Sequence, residues 1–190
     1  MAGDTRERIM ESARLTVQDL GYGGLSFREL AKDVGIKSAS IHYYFPTKGD
    51  LGEAILRRYV DRYAAFLDGL LDGLPGTGAD RAALMGRYTD MFRSTLLNGN
   101  RLCLAGMLSA ERNELPAGIC AEIVRWGAMN EGWIARVLGL GGAGDREGLR
   151  SRAAALFAAV SGAQVVAHGR NDVAVYDDII AAYRASGLVP

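Results

Sequence analysis

Apolar residues recur at intervals of three and four along almost the whole chain, and this spacing is what most limits its fold. The first apolar face consists of Ile9, Met10, Ala13, Val17 and Leu20, which share one side of a helix. No stretch keeps the alternating pattern of a strand, and only four prolines interrupt the 190 residues. The sequence therefore predicts an all-α fold of about nine helices.

The ends of the first two helices are predicted from capping residues and glycines. Asp4 or Thr5 is expected to cap the first helix, which Gly21 ends. Ser26 is expected to cap the second helix, with Glu29 as its capping-box partner three residues later.

A short third helix and a long fourth helix follow Gly35, which ends the second. The third is predicted over residues 38–44. Thr47 is expected to cap the fourth, with the carboxylate of Asp50 in its first turn, near the positive end of the helix. The fourth helix is expected to continue up to the Pro-Gly-Thr-Gly of residues 75–78, the clearest break in composition along the chain.

Five further helices are predicted beyond this break. They span about residues 79–97, 102–112, 116–138, 146–168 and 172–185. A boundary near Arg58, within the long fourth helix, divides the chain into an N-terminal domain of residues 1–57 and a larger C-terminal domain of residues 58–190.

The two short helices joined at Gly35 have the pattern of a helix-turn-helix, whose second helix enters the major groove of DNA. Ile41 and Phe45 are expected to face the core, so that polar and aromatic side chains face outward. No acidic residue lies between Asp33 and Asp50, although the 22 acidic residues of the chain balance its 22 basic ones. This balance excludes a protein that coats nucleic acid through bulk charge, but a phosphate-facing surface needs only such a local gap.

The adjacent Tyr43 and Tyr44 strengthen the DNA-binding hypothesis. Helix pairs with a glycine turn are common and most bind nothing, but two exposed aromatic neighbours beside basic residues indicate a contact surface. A helical interaction module that binds protein through Tyr43 and Tyr44 is an alternative that this pattern leaves open.

Two stretches carry a resemblance to a known family. Residues 21–31 read GYGGLSFRELA, and residues 35–51 read GIKSASIHYYFPTKGDL. With their flanks, about residues 5–55, they resemble the DNA-binding domain of TetR-family transcriptional regulators. The resemblance implies an all-helical homodimer that usually represses transcription. Such a dimer binds a palindromic operator in double-stranded DNA and is released when a small-molecule inducer enters the C-terminal domain.

The resemblance also implies which side chains meet the operator. Ser26 and Arg28 are placed near the DNA backbone on the first helix of the motif. The side chains placed in the groove are Lys37, Ser38, Ser40 and His42. Those placed at the phosphates are Tyr43, Tyr44 and Lys48, and Thr47 is included in the DNA-binding set. Hydroxyl and ammonium groups at phosphates position a protein on DNA, whereas contacts with base edges carry the sequence information.

A stretch of the C-terminal domain resembles one subgroup of the same family. Residues 101–111 read RLCLAGMLSAE and are followed by Leu115 and Pro116. They are similar to N-ethylmaleimide- and hypochlorite-responsive repressors, in which a cysteine at the position of Cys103 takes part in sensing electrophiles. The resemblance implies an alternative switch through thiol modification. A cysteine in an apolar run is more often inert, however, and its reactivity depends on its pKa.

A noncovalent inducer site is the leading hypothesis for the C-terminal domain, because pockets combine apolar walls with a few polar anchors. The candidate lining residues are Tyr88, Met91, Phe92, Cys103, Met107, Trp126, Met129, Asn130 and Trp133. Trp126 and Trp133 are seven residues apart on one helical face and are expected to form part of one wall. Each of these residues is also an ordinary core residue.

The last two helices are expected to form the homodimer interface. Their apolar faces, which include Leu156, Val160 and Ala167, contain enough alanine for close helix packing. The resemblance places the dimer interface on these helices, and operator geometry requires two recognition helices about 34 Å apart. The adjacent Asp177 and Asp178 are expected to face solvent.

Other signals argue against enzymes, metals and membranes. Gly139, Gly141 and Gly144 spell GxGxxG but follow a predicted helix, so a loop is expected there and no cofactor is predicted. Cys103 has no evident histidine partner, which leaves a cysteine-dependent helical enzyme as a remote alternative. The two cysteines have no zinc spacing and indicate a reducing cytoplasm, and no apolar run approaches a membrane span.

Overall fold

The computed structural model describes residues 2–72, 80–142 and 145–190. Within these ranges the chain forms nine α-helices and one 3₁₀ turn without any strand, which confirms the all-α prediction. The helices are α1 (Ala2–Leu20), α2 (Phe27–Val34), α3 (Ser38–Tyr44), α4 (Lys48–Leu71), α5 (Asp80–Leu97), α6 (Leu104–Ala110), α7 (Ala117–Leu138), α8 (Arg146–Arg170) and α9 (Val173–Ala185). The 3₁₀ turn, Arg112–Glu114, lies between α6 and α7.

The start of α1 differs from the prediction, whereas its end agrees. The helix begins at Ala2, so Asp4 and Thr5 lie inside it and neither is its cap. The carboxylate of Asp4 still lies in the first turn of α1, where the helix dipole favours a negative charge. Gly21 ends α1 as predicted, in the left-handed conformation with φ of 74°.

The predicted capping box of α2 is absent. Ser26 occupies the N-cap position, but its side chain makes no cap hydrogen bond. The Glu29 carboxylate instead accepts hydrogen bonds from the Lys32 ammonium, at 2.9 Å for Oε2, and lies 3.5 Å from Arg28 Nε. Lys32 and Arg28 therefore pair with the Glu29 carboxylate, which the predicted capping box would have used.

The turn between α2 and α3 and the start of α4 agree with the prediction. Gly35 has φ of 73°, and its N–H and that of Ile36 close the end of α2 on the carbonyls of Lys32 and Ala31. At α4, the Thr47 hydroxyl accepts from the Asp50 N–H (3.1 Å) while Asp50 Oδ2 accepts from the Thr47 N–H (2.9 Å). This reciprocal cap fixes where α4 begins.

The helix predicted over residues 102–112 is shorter than expected. α6 ends at Ala110 because Glu111 leaves the helical conformation with φ of −100°, and a 3₁₀ turn follows. The Pro-Gly-Thr-Gly break of residues 75–78 and Gly144 lie outside the described residues. Gly139 and Gly141 lie in turns after α7, as expected of a loop.

The chain forms two compact units. The N-terminal unit comprises Met1–Arg62 and Cys103–Trp126, and the C-terminal unit comprises Tyr63–Leu102 and Gly127–Pro190. The division falls within α4 and α7. The functional boundary at residue 57 remains a prediction, because compactness does not say which residues bind DNA. None of the helices in the described ranges has the length and apolar character needed to cross a membrane.

Candidate nucleic-acid interface and buried residues

The helix-turn-helix is built around a small core that turns one face of α3 outward. Leu30 of α2, Ile41 of α3 and Phe45 just after α3 are buried, as the apolar spacing predicted for the last two. The opposite side of α3 therefore faces solvent. Along this segment Lys37, His42 and Tyr43 are exposed, whereas Ser38, Ser40 and Tyr44 are half-buried.

Tyr43 is the most exposed large apolar side chain of this surface. It is 83% exposed, and its ring meets the edge of Tyr44 with a centroid separation of 5.2 Å. Burying so large an apolar surface would normally contribute to stability, so its exposure indicates a role in contact with another molecule.

His42 is held by two neighbours. Its Nδ1 lies 3.3 Å from the Pro46 carbonyl oxygen, and its ring lies edge-on to Phe27 with a centroid separation of 4.8 Å. Phe27 is half-buried, and its ring supports His42. Sequence reasoning missed this supporting role, for which an aromatic residue at the start of α2 is the only local signal.

The Lys48 ammonium lies against the turn that follows α1. Its Nζ is 4.3 Å from the centroid of the Tyr22 ring and 3.4 Å from the Gly23 carbonyl oxygen. Tyr22 was not predicted as a site residue. The available signal was an aromatic residue between glycines, directly before the helix-turn-helix.

Two further predicted DNA-contacting side chains already interact with carboxylates of the same chain. Arg28 is exposed and pairs with Glu29, whose pKa is lowered chiefly by the hydrogen bond from Lys32. The Thr47 hydroxyl takes part in the cap of α4, and it also donates to Asp50 Oδ2 at 2.8 Å. These side chains would have to share their hydrogen bonds with DNA.

Glu111 links the end of α6 to the same turn. Its Oε2 accepts a hydrogen bond of 2.7 Å from the Tyr22 N–H, and the two residues are 89 positions apart. Gly21 makes room for this contact, because a Cβ built at that position would overlap the Glu111 carboxylate. The turn before α2 is thus tied to a distant part of the chain.

A buried carboxylate joins α4 and α7 inside the N-terminal unit. Glu122 accepts from Arg57 Nε (2.9 Å) and from an Arg125 guanidinium nitrogen (3.0 Å). The hydrogen bonds that the two guanidinium groups donate to carboxylates raise the pKa of both, with Glu122 the largest influence on Arg57 and Asp61 the largest on Arg125. The paired charges satisfy a carboxylate that burial alone would destabilise.

The Cys103 thiol is buried at the start of α6. Its Sγ accepts a hydrogen bond of 3.2 Å from the Gly106 N–H and so caps the helix. Burial raises the pKa of this thiol to about 11, and the Gly106 bond opposes that rise. Cys120 is half-buried, with its Sγ 3.7 Å from the carbonyl oxygens of Arg112 and Leu115.

Four of the predicted inducer-site residues come together in the C-terminal unit. The Tyr88 hydroxyl donates to Asn130 Oδ1 (2.9 Å). The Tyr88 ring stacks on Trp133 with centroids 5.5 Å apart and lies 5.3 Å from Phe92. Trp133 Nε1 in turn donates to the Leu67 carbonyl at 2.7 Å. The result is a buried aromatic cluster that contains one polar pair.

Two further members of the set line open grooves of the C-terminal unit. Met129 shares with Trp133 a groove of about 370 Å³ between α4 and α7. Met91 lines another groove of about 370 Å³ with Tyr63 and Phe66.

The remaining three predicted residues, Cys103, Met107 and Trp126, belong to the N-terminal unit. The Trp126 ring packs against Tyr59 with centroids 5.4 Å apart, so it has an aromatic partner different from that of Trp133. The common wall that was expected for the two tryptophans remains a prediction.

The Asp177 side chain is 43% exposed, in agreement with the expectation, and it also pairs with Arg93. Its carboxylate accepts two hydrogen bonds from Arg93, of 2.7 and 2.8 Å, which hold the pKa of Asp177 below its usual range. Asp178 is exposed, in agreement with the expectation. Among the residues that the structure describes, no group of three or more His, Cys, Asp or Glu side chains is placed to hold a metal ion.

The side of α8 that was expected to form the dimer interface faces the core of the C-terminal unit instead. Leu156, Val160 and Ala167, named for the dimer interface, are buried within the C-terminal unit itself. The other side of α8 is also made of small and apolar residues, and it is open to solvent. These exposed residues are Ala155, Ala158, Gly162, Val165, Val166 and Gly169.

Comparisons with known proteins agree on one family. Residues 9–55 match the family described as bacterial regulatory proteins, tetR family. The probable HTH-type transcriptional regulator YttP of Bacillus subtilis is 35% identical over 68 residues, which cover 36% of this chain and 33% of YttP. The HTH-type transcriptional repressor NemR of Escherichia coli is 29% identical over 109 residues, which cover 57% of this chain and 54% of NemR. The chain thus spans about a third to a half of the length of these curated relatives.

Solved structures extend the similarity beyond the helix-turn-helix. A TetR transcriptional regulator from Legionella pneumophila is 28% identical, with a TM-score of 0.86 over 95% of both chains. The reduced form of E. coli NemR is 21% identical with a TM-score of 0.77, covering 98% of this chain and 97% of NemR, and this likeness shows the fold alone. Residues 9–55 therefore match the DNA-binding part described as bacterial regulatory proteins, tetR family, and the fold over nearly the full length is similar to that of a TetR transcriptional regulator.

Proposed function

We propose that the chain is a DNA-binding repressor that acts as a homodimer on a palindromic operator and is released by a small-molecule inducer. The observation that carries this proposal is the outward face of α3, where the exposed Tyr43 stands beside Lys37 and His42. α3 has no acidic residue, and a buried core holds it in place. This is the arrangement that a major-groove helix requires.

The proposed contacts keep the roles that the resemblance implies, and the positions of the side chains on the helix-turn-helix support them. Lys37, Ser38, Ser40 and His42 lie on or beside α3 and are assigned to the groove. Tyr43, Tyr44, Thr47 and Lys48 lie at the end of α3 and the start of α4 and are assigned to the phosphates, with Ser26 and Arg28 near the backbone at α2. The phosphate contacts position the dimer, and the groove contacts select the sequence.

The exposed apolar side of α8 supports a dimer. Val165 and Val166 are 54% and 42% exposed, and Gly162 lies one turn before them. Small residues along a helix allow a second helix to approach closely, as in four-helix interfaces. We assign the homodimer interface to this side of α8 together with α9.

The aromatic cluster around Tyr88 supports an inducer site in the C-terminal unit. A buried hydroxyl–amide pair among stacked rings provides the apolar wall and polar anchor that small-molecule sites combine. We assign Tyr88, Asn130 and Trp133 to the centre of this site, with Met129 at the groove beside it.

The thiol-switch and enzyme alternatives both need a reactive Cys103. With a pKa of about 11, only about one Cys103 in ten thousand is a thiolate at pH 7, against about 3% for an ordinary cysteine. Burial and a raised pKa therefore both weigh against these alternatives.

N-ethylmaleimide is expected to label Cys120 at least about tenfold faster than Cys103 in the folded protein at pH 7, because the Cys103 thiol is buried and its pKa is raised. Mass spectrometry of peptides from a time course measures both rates. In urea the two rates should become similar. Preferential labelling of Cys103, with loss of DNA binding that Cys103→Ser prevents, would contradict this and restore the thiol switch.

The DNA-binding proposal is tested with the duplex that flanks the chain's own gene. Tyr43→Ala is expected to weaken binding by about tenfold to a hundredfold, because each of the two protomers loses one phosphate contact. Tyr43→Phe, which removes only the hydroxyl, should fall between Tyr43→Ala and the wild type. Gel shifts or fluorescence anisotropy at fixed salt measure the affinities.

Two controls accompany this test. The Tm of Tyr43→Ala should stay near that of the wild type, since the side chain is largely exposed. Leu97→Ala removes another exposed apolar side chain, from the end of α5, and should leave DNA affinity unchanged. Wild-type affinity of Tyr43→Ala at moderate salt would refute the assignment of α3.

A further inference from the structure

The Lys48 ammonium has two partners within its own chain, although a lysine at a helix start needs none to contact a phosphate. The ammonium lies over the face of Tyr22 and within 3.4 Å of the Gly23 carbonyl oxygen. An ammonium has three N–H donors, and a ring face attracts a cation through its quadrupole. The Gly23 carbonyl accepts from one donor, so donors remain for a phosphate oxygen.

Tyr22 is itself held from two directions. Its N–H donates to the Glu111 carboxylate at 2.7 Å, and its ring lies where a Cβ on Gly52 would come within 3.1 Å of it. Gly21, with φ of 74°, turns the chain here and leaves room for the Glu111 carboxylate. The position of the ring under Lys48 thus depends on α6, whose last residue, Ala110, precedes Glu111.

We propose that Tyr22 is a positioning residue that holds Lys48 for its phosphate contact, and that Glu111 sets operator affinity by holding Tyr22. This inference rests on the proposed function. A free lysine side chain loses much rotamer freedom when it binds a phosphate, and a side chain already held in place loses less.

A double-mutant cycle tests the link between Tyr22 and Lys48. The variants are Tyr22→Leu, Lys48→Gln, their combination and the conservative Tyr22→Phe, each measured on the flanking duplex at several salt concentrations. Lys48→Gln should weaken binding by about tenfold and lower the slope of log K against log salt by about 1.8, which is one phosphate contact per protomer. Tyr22→Leu should weaken binding about threefold to tenfold, and Tyr22→Phe should match the wild type because it keeps the ring.

The decisive comparison is Tyr22→Leu in the two backgrounds. If Tyr22 acts through Lys48, Tyr22→Leu has no further effect once Lys48→Gln is present. Equal losses in both backgrounds would show an independent structural effect and overturn the proposal. Tighter binding by Tyr22→Leu would overturn it as well, because the ring would then compete with phosphate for the ammonium.

Glu111 is tested against a charge-matched control. Glu111→Ala should weaken operator binding about threefold to tenfold, and this loss should also disappear in the Lys48→Gln background. Glu114→Ala removes an exposed carboxylate three residues later, so it corrects for the general gain in DNA affinity when negative charge is lost. Glu111→Ala binding as tightly as Glu114→Ala would overturn the role of Glu111.

The outcomes separate this inference from the function on which it rests. A wild-type protein that binds the flanking duplex no better than a scrambled duplex contradicts the proposed function, and the inference fails with it. A wild-type protein that binds specifically, with additive effects in the cycle, contradicts the inference alone. Tm values measured for every variant show whether a loss of binding reflects unfolding.

Discussion

Gly162→Arg is expected to convert the protein into a folded monomer and to lower operator affinity by about a hundredfold or more, because a dimer gains that much from engaging two half-sites. Gly162 lies on the exposed side of α8, and a Cβ built there has no atom within 4 Å. The Cβ of the arginine therefore fits at this exposed position. In a symmetric interface it introduces two charges between apolar helices.

Stability of the single chain should not decline in this variant. Glycine is about 1 kcal/mol less favourable than alanine inside a helix, and arginine is among the good helix formers. A loss of operator binding with a preserved helical spectrum would therefore report on the interface. Analytical ultracentrifugation gives the oligomeric state, and fluorescence anisotropy gives the affinity.

Gly69→Arg is the matched control. Gly69 is an exposed helical glycine of α4 whose Cβ would also have no atom within 4 Å. It should remain dimeric and bind the operator like the wild type. A Gly162→Arg protein that stays dimeric with unchanged affinity would place the interface elsewhere on the chain.

Trp133→Ala is expected to reduce the free energy of unfolding by about 3–5 kcal/mol, the range for truncating a buried tryptophan. Trp133 is 1% exposed, stacks on Tyr88 and donates to the Leu67 carbonyl. Its removal leaves a cavity among rings that remain where they are. Urea denaturation followed by circular dichroism measures the loss.

Two companion variants separate the ring from its hydrogen bond. Trp133→Phe keeps an aromatic ring but leaves the Leu67 carbonyl without this donor, at an expected cost of about 1–3 kcal/mol. Val124→Ala, on the same helix at a position 62% exposed, should change stability by less than about 0.5 kcal/mol. A loss below about 1 kcal/mol for Trp133→Ala would contradict the close packing described for this cluster.

The recognition helix was predictable because its determinants are local. α3 spans Ser38–Tyr44 as predicted, since Gly35 and the Thr47–Asp50 cap limit it on both sides. The apolar spacing of Ile41 and Phe45 then determines which side faces out. Each of these signals acts within a few residues and can be read without a tertiary structure.

The contacts that support this helix were not predictable. Glu111 meets Tyr22 across 89 positions, and Arg93 meets Asp177 across 84. Helical periodicity places a residue on a face but does not say which distant charge will oppose it. The same ambiguity explains why the capping box predicted for α2 is absent. The Glu29 carboxylate could pair either with the helix end or with the nearby cations of Lys32 and Arg28, and it pairs with the cations.

The orientation of α8 shows a related limit. Alanine and valine occur on both of its sides, so the spacing of apolar residues fits either side against the core. Leu156, Val160 and Ala167 turned inward, whereas Val165 and Val166 were left outside. Their exposure became informative only once the packing was known.

The make-up of the N-terminal unit has a consequence for how the protein is made. Residues Cys103–Trp126 pack with Met1–Arg62, so the unit that carries the recognition helix includes chain synthesised long afterwards. A nascent polypeptide cannot complete this unit until Trp126 has emerged from the ribosome. Domains generally fold as whole units during translation. A chain that ends before Trp126 is therefore expected to lack a completely folded N-terminal unit.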